Sequence, residues 1–226
     1  IDSALGVSSS NVGIVMPALA PAMEETIPQV AETVRVSLQG ENFVTVDDQK
    51  FYTRSLVFTE DAFFDVFNFE LLQRQPGVLL DKPHSAVMTQ AFAKTVFGDQ
   101  DPMGKLLRIN NQDMEVVGIL ENVRPDSHMQ FDLLVSLEYL NPEDEGATQQ
   151  QQFLETWGAI AMVTYARLEP GASEVAVEEQ LTALLAERSV MKTFSATLQP
   201  LIEAHLNSSD VLFDNFNQDR VTGRKL

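Results

Sequence analysis

Between Phe58 and Asp132 the hydrophobic period of this sequence switches repeatedly between that of a helix and that of a strand. Those switches limit what the chain can fold into more than any other feature. From Asp61, Phe63 and Phe67 are spaced i, i+4, so one helical turn puts both rings on one face. Phe67, Phe69 and Leu71 then alternate, the period of a strand with one buried face, so helix gives way to strand near Asn68. Burying each of the four Phe rings is worth about 1.5–3 kcal/mol. The cluster reads as a core anchor rather than an exposed aromatic binding site.

The same stretch continues as a small α/β unit. Ser85–Met88 reads as a short strand, and Thr89 follows as an N-cap whose hydroxyl can accept from an orphan N–H of the first turn. From Ala91 to Phe97, Phe92 faces Val96 and Ala93 faces Phe97, and Gly98 stands where a left-handed residue closes a helix. Asp101-Pro102 turns the chain. Lys105–Ile109 and Met114–Leu120 read as strands joined by Asn110-Asn111-Gln112-Asp113, a polar loop whose asparagines tolerate positive φ.

On the N-terminal side, residues 1–13 are small and polar. Ala18–Ile27 reads as a helix bounded by Pro17 and Pro28, with Leu19, Met23 and Ile27 as its buried stripe. Val30–Leu38 alternates through Val34, Val36 and Leu38, and with Phe43–Val46 and Phe51–Phe58 it is expected to form a three-stranded meander. On the C-terminal side, Phe131–Ser136 reads as a strand and Asn141–Gln152 as a polar surface loop with a helical end. Trp157–Leu168 reads as a longer strand, and Glu169-Pro170-Gly171 as a turn. A helix follows, capped by Ser173, with Glu174, Glu178 and Glu179 near its positive end and Val177, Leu181, Leu184 and Leu185 as its apolar stripe. Thr193–Leu198 is expected to be a closing strand, and Pro200–Asp219 to be irregular. This order predicts an α+β fold with an inserted α/β unit.

Composition narrows the class. With 226 residues, 44% hydrophobic and 14 Phe, the chain can bury a substantial core. A net charge of −18 argues against nucleic acid or an anionic membrane as an electrostatic partner. With no cysteine, neither a disulfide framework nor a thiol nucleophile nor a Cys-based metal site can form. No stretch is long and apolar enough to span a bilayer; Val12–Ala22 comes nearest and is interrupted by Pro17 and Pro21.

A search for chemistry leaves no cluster. The histidines are His84, His128 and His205, none with a partner at metal-ligand spacing on one element. His128 stands near Glu121, Asp126 and Asp132, a set from which a hard-metal site or an acid/base pair is conceivable. The preferred reading is a turn histidine bonded to backbone before the following strand. Ser85-His84 and Ser127-His128 are sequence neighbours, the wrong arrangement for a nucleophile facing its base, and no G-x-S-x-G is present. Gly104-Lys105 lacks both the upstream glycine and the following Ser/Thr of a phosphate loop. Asn207-Ser208-Ser209 is a chance glycosylation sequon. The carboxylate pairs Glu24/Glu25, Asp47/Asp48 and Glu178/Glu179, and the run Glu143–Glu145, read as solvated turns and helix faces. The expectation is therefore no catalytic residue, no cofactor-binding residue, no metal ligand and no enzymatic activity.

Five segments in order carry a resemblance: Phe63-Phe64-Asp65-Val66-Phe67-Asn68-Phe69; Ala93-Lys94-Thr95-Val96-Phe97-Gly98; Asp101-Pro102-Met103-Gly104-Lys105; Val116-Val117-Gly118-Ile119-Leu120; and Asp126-Ser127-His128-Met129-Gln130-Phe131-Asp132. Together with Pro17–Val36 they resemble the MacB-like periplasmic core domain of ABC transporter permeases of the FtsX/MacB superfamily, over roughly residues 17–188. Gln73-Arg74-Gln75-Pro76-Gly77 departs from that pattern at a turn. The resemblance implies a two-lobed α+β domain: residues 1–77 and 150–226 a porter-like subdomain, residues 78–149 an inserted Sabre-like α/β subdomain. It implies transmembrane helices before residue 1 and after about residue 220, an inner-membrane protein with this segment in the periplasm, and zero cysteine fits that compartment. It further implies a cytoplasmic ABC ATPase, a second permease copy or permease-like half, and a periplasmic or outer-membrane partner. The function so implied is transmission of the ATPase cycle to a conformational change outside the membrane. The alternative is an extracytoplasmic ligand-binding or sensory module for a peptide or lipid.

Overall fold

A computed structural model describes residues 11–77, 79–139, 144–190, 194–201 and 211–212. In chain order the elements are β1 (Asn11–Val12), α1 (Leu19–Thr26), β2 (Val30–Leu38), β3 (Asn42–Val46), β4 (Gln49–Thr53), β5 (Leu56–Thr59), α2 (Phe63–Val66), β6 (Leu71–Arg74), β7 (Ser85–Thr89), α3 (Gln90–Phe97), β8 (Leu106–Ile109), β9 (Gln112–Leu120), β10 (Leu133–Ser136), α4 (Ala147–Leu154), β11 (Val163–Leu168), α5 (Glu174–Arg188) and β12 (Val211–Leu212).

Ten of these strands form one sheet, in the order β11-β2-β5-β10-β7-β9-β8-β3-β4, with β6 also paired to β9. Strand β9 is long enough for β8 and β6 to share one of its edges, while β7 runs parallel along the other. The β5–β10 pair is also parallel. The boundaries at 77/78 and 149/150 do not interrupt the ladder: β5 is bonded to β10, and the β3–β4 hairpin joins β8. β1 and β12 pair with each other in parallel, so segments 200 residues apart in sequence lie side by side (Asn11 opposite Val211).

The central strands are covered on both faces. In β5, β7 and β10, Leu56, Phe58, Ala86, Met88, Leu133 and Val135 belong to one core, together with Phe92, Val96 and Phe97 of α3. The intervening Val57, Val87 and Leu134 belong to a second core, on which Phe63 and Phe67 pack. A third core joins α1 to α5 through Leu19, Met23 and Ile27 against Val177, Leu181, Leu184 and Leu185.

Local signals place the helices and the hairpin. Thr89 Oγ1 accepts from the Phe92 N–H at 3.3 Å, and Ser173 Oγ from the Ala176 N–H at 3.4 Å. Gly98 closes α3 at φ 62°. The β8–β9 loop is tighter than the sequence implies: Ile109 pairs with Gln112, leaving Asn110 and Asn111, both at positive φ, as a two-residue turn.

Further expectations change, and the strand read from the alternation of Phe67, Phe69 and Leu71 begins only at Leu71. Phe51–Phe58 is two strands, because the Asp132 carboxylate accepts from the Arg54 N–H at 2.9 Å and from Thr53 Oγ1 at 3.2 Å, drawing the chain out of the ladder between β4 and β5. The meander is accordingly split, with β3–β4 at one end of the sheet and β5 near the other. The strand expected from Trp157 starts at Val163, since Ala161 and Met162 pair with Val15 instead. Residues 194–198 form no strand: the Ala196 N–H donates to Thr182 Oγ1 and the Leu198 N–H to Glu178 Oε1, so the segment is bonded to side chains of α5. Residues 1–10 and most of 200–219 lie outside the described residues, as do His205 and the Asn207-Ser208-Ser209 sequon.

Candidate functional site

The residues around His128 form a cleft of about 310 Å³. Its walls are Phe67–Glu70, where α2 hands over to β6, the Glu121–Arg124 exit of β9, the Asp126–Met129 turn, and Leu201. The walls follow from the aromatic cluster. Phe63 stacks on Phe69 at 5.4 Å and meets Phe67 at 4.8 Å and Phe131 at 5.8 Å, so the chain entering β6 is held against the chain entering β10.

His128 is joined to a side chain of a distant strand. Its Nε2 lies 3.1 Å from the Tyr165 hydroxyl of β11, and Tyr165 in turn packs edge-on against Phe67. Three carboxylates stand near it in sequence. Asp132 turns toward Thr53 and Arg54, Asp126 forms a two-pronged pair with Arg124 at 2.7 and 3.0 Å, and Glu121 lines the cleft. Among the described residues no group of three or more His, Asp or Glu could hold a metal ion.

The other candidates are likewise distributed. His84, at φ 57°, lies between the Asp113 carbonyl (3.0 Å) and the Asp144 carboxylate (2.9 Å), while its neighbour Ser85 is buried in β7. Lys105 lies over the Phe97 ring at 5.2 Å and bonds Gln100, and Gly104 occupies a tight turn at φ 74°. Asp47 and Asp48, both at positive φ, are the turn between β3 and β4. Glu24 accepts from Thr33 Oγ1 at 2.7 Å, and Glu178 holds the Leu198 N–H at 2.8 Å.

Sequence reasoning missed a highly connected polar group. Arg35, in the middle of β2, bonds Glu60 through Nε at 3.0 Å and through its Nη2, and its Nη1 donates to the carbonyls of Pro17 (3.3 Å) and Leu154 (3.1 Å). One side chain thus ties β2, the end of β5, the approach to α1 and the end of α4. The signal was an arginine between Val34 and Val36 in an apolar strand. Alternation alone places Arg35 on a solvated face, and only its distant partners enclose it.

No helix among the described residues is long and apolar enough to cross a membrane. The sequence profile of the MacB-like periplasmic core domain matches residues 4–184. No match is found among curated proteins. Among solved structures, a domain assigned to a permease protein from Porphyromonas gingivalis is 24% identical with a TM-score of 0.68, covering 80% of this chain and 74% of that one. The periplasmic region of MacB from Actinobacillus actinomycetemcomitans is 16% identical with a TM-score of 0.56, covering 78% of this chain and 75% of that one. The extracellular domain of the ABC-type transporter YknZ from Gram-positive bacteria is 13% identical with a TM-score of 0.57, covering 78% and 85%. At these identities the structural likenesses speak to the fold, a mixed α+β arrangement around a large sheet. The profile match spans most of the sequence: this chain belongs to the MacB-like periplasmic core domains, the periplasmic domains of MacB/FtsX-like ABC transporter permeases.

Proposed function

We propose that this domain transmits the cycle of a cytoplasmic ABC ATPase into movement on the far side of the inner membrane, and carries out no reaction of its own. The observation that carries the reading is the continuity of the ladder. Strands from the first third of the chain (β2, β5), the middle (β7, β9, β10) and the last third (β11) are bonded edge to edge. A close-packed sheet with both faces covered moves as a unit, so displacement at one end is delivered at the other. In this reading residues 1–77 with 150–226 are the porter-like part, residues 78–149 the Sabre-like part, and the β5–β10–β7 ladder the joint between them. The partners are the ATPase, a second permease copy or permease-like half, and a periplasmic or outer-membrane protein that receives the motion.

This chain has no cysteine of its own, so within it an introduced thiol is labelled at one site. In the full-length permease with its ATPase, spin labels placed through Val175→Cys on exposed α5 should report different inter-copy distances in the nucleotide-free and ATP-trapped states. Identical distance distributions in an ATPase-active sample would sink the reading.

A second reading, an extracytoplasmic module for a peptide or lipid, is favoured by the cleft beneath His128, with Phe67, Phe69 and Met129 in its walls. It requires saturable thermal stabilisation by one ligand class.

A further inference from the structure

Strand β4 is the last in the sheet order, and among the described residues nothing pairs with its outer edge. An open edge offers unpaired N–H and C=O groups to any extended chain. Which groups point outward follows from the turn. Asp47 and Asp48 form a two-residue loop closed by Val46 and Gln49, and the pair flanking such a loop exchanges both backbone bonds. The bonding then alternates, so Gln49, Phe51 and Thr53 face β3 while the backbone groups of Lys50 and Tyr52 face out. Tyr52 is 47% exposed and Phe43, its partner across the hairpin, 58%, with the two rings edge-to-face at 5.8 Å. Burying such a pair is a favourable aromatic contribution that monomeric β4 leaves in water.

We propose that this edge is a self-association surface, on which β4 of a second copy of this chain pairs antiparallel about a twofold axis through Phe51. The charge order of the strand selects both partner and register. Only residues with outward backbone groups can exchange bonds across the seam, which leaves three centred registers. Lys50 opposite Lys50 sets like charges face to face, and Tyr52 opposite Tyr52 sets Lys50 against Arg54. Both are disfavoured. Lys50 opposite Tyr52 avoids both clashes. It places a cation beside an aromatic ring twice, sets Phe51 against its own copy on the axis, and brings the acidic Asp47-Asp48 turn of each copy to the Arg54 end of the other. Lysine on an edge strand normally discourages pairing with arbitrary strands. Here the acidic-to-basic order along β4 is complementary to itself when reversed, on a chain that otherwise carries a net charge of −18 and repels its copies. The interface is isologous and closes at two copies.

Sedimentation velocity of this chain should show a monomer–dimer equilibrium that shifts with concentration. Arg54→Glu, on an exposed side chain, should weaken the dimer about tenfold by turning two attractive end contacts repulsive, with the thermal midpoint unchanged at concentrations where the parent chain is monomeric. Because the chain has no cysteine, register is read directly: chains carrying Lys50→Cys mixed with chains carrying Tyr52→Cys should form disulfides with each other faster than either does with itself. Both positions are exposed, so folding is preserved. A chain that sediments as a monomer throughout overturns the proposal. So does a dimer indifferent to Arg54→Glu, or self-linking of Lys50→Cys that outpaces the mixed reaction.

Discussion

Arg35 and Glu60 meet as an ion pair where β2, the end of β5, the approach to α1 and the end of α4 come together, with the arginine side chain 9% exposed and the glutamate 27%. The Arg35 N–H also donates to Glu60 Oε2 at 3.0 Å, so the carboxylate is held by both backbone and guanidinium. Removing one member of such a buried pair leaves the other's charge poorly compensated. Arg35→Ala additionally frees the Pro17 and Leu154 carbonyls. Discounting for the partial exposure of Glu60, the expected loss is about 2–3 kcal/mol, or a fall in melting temperature of about 4–12 °C for a chain of this size. Calorimetry would check it; a fall of less than a degree would mean that the junction is held by packing alone.

Phe63 is fully buried and touches the rings of Phe64, Phe67, Phe69 and Phe131. Phe63→Ala should cost about 3–5 kcal/mol in urea unfolding, the range for an aromatic removed from a packed core. Phe63→Leu should cost substantially less. Equal losses for the two would mean that ring stacking, and not volume, sets the energy.

Gly118 sits in β9 where its register with β7 shifts. A Cβ there would lie 3.3 Å from both methyl groups of Val87 and 3.5 Å from the Gln73 carbonyl oxygen. Neighbours on both sides leave little room to yield, so Gly118→Ala should destabilise by about 1–3 kcal/mol through overpacking. Val87→Ala should recover part of that loss, giving a non-additive double-mutant cycle. Strict additivity would place the strain elsewhere.

Asp81 has its pKa raised, first by partial burial and then by the neighbouring Asp61 carboxylate, which already accepts the Leu79 and Leu80 N–H groups at 2.6 and 3.0 Å. The folded state therefore holds this proton more tightly than the unfolded chain does. Folding gains from Asp81 at low pH, and the gain is lost as pH rises through the folded pKa. Asp81→Asn should raise the melting temperature at neutral pH, with the advantage shrinking below the ordinary aspartate range. A variant that is no more stable at pH 7 than the parent would contradict this.

How much was legible in the sequence varies by range. The cap at Thr89, the stop at Gly98 and the stripe on α5 follow from interactions within four residues and stand where the sequence places them, while the asparagine turn is shortened to Asn110-Asn111 by the pairing of Gln112 with Ile109. Five short segments also carried the family. The cleft was half legible: the aromatic knot that builds its walls was, but the partner of His128 was not, since Tyr165 is 37 residues away.

By itself, the sequence determined that this chain is a cysteine-free, strongly acidic α+β domain whose helices and turns lie close to where their caps and periods put them. Only the tertiary structure decided that Phe51–Phe58 is severed at Arg54, that β3–β4 crosses to the far end of the sheet, and that Arg35 is enclosed. Periodicity reports which face of an element is apolar. It does not report what lies against the other face, because backbone hydrogen bonds are the same for every strand and only the packing of distant segments selects among them.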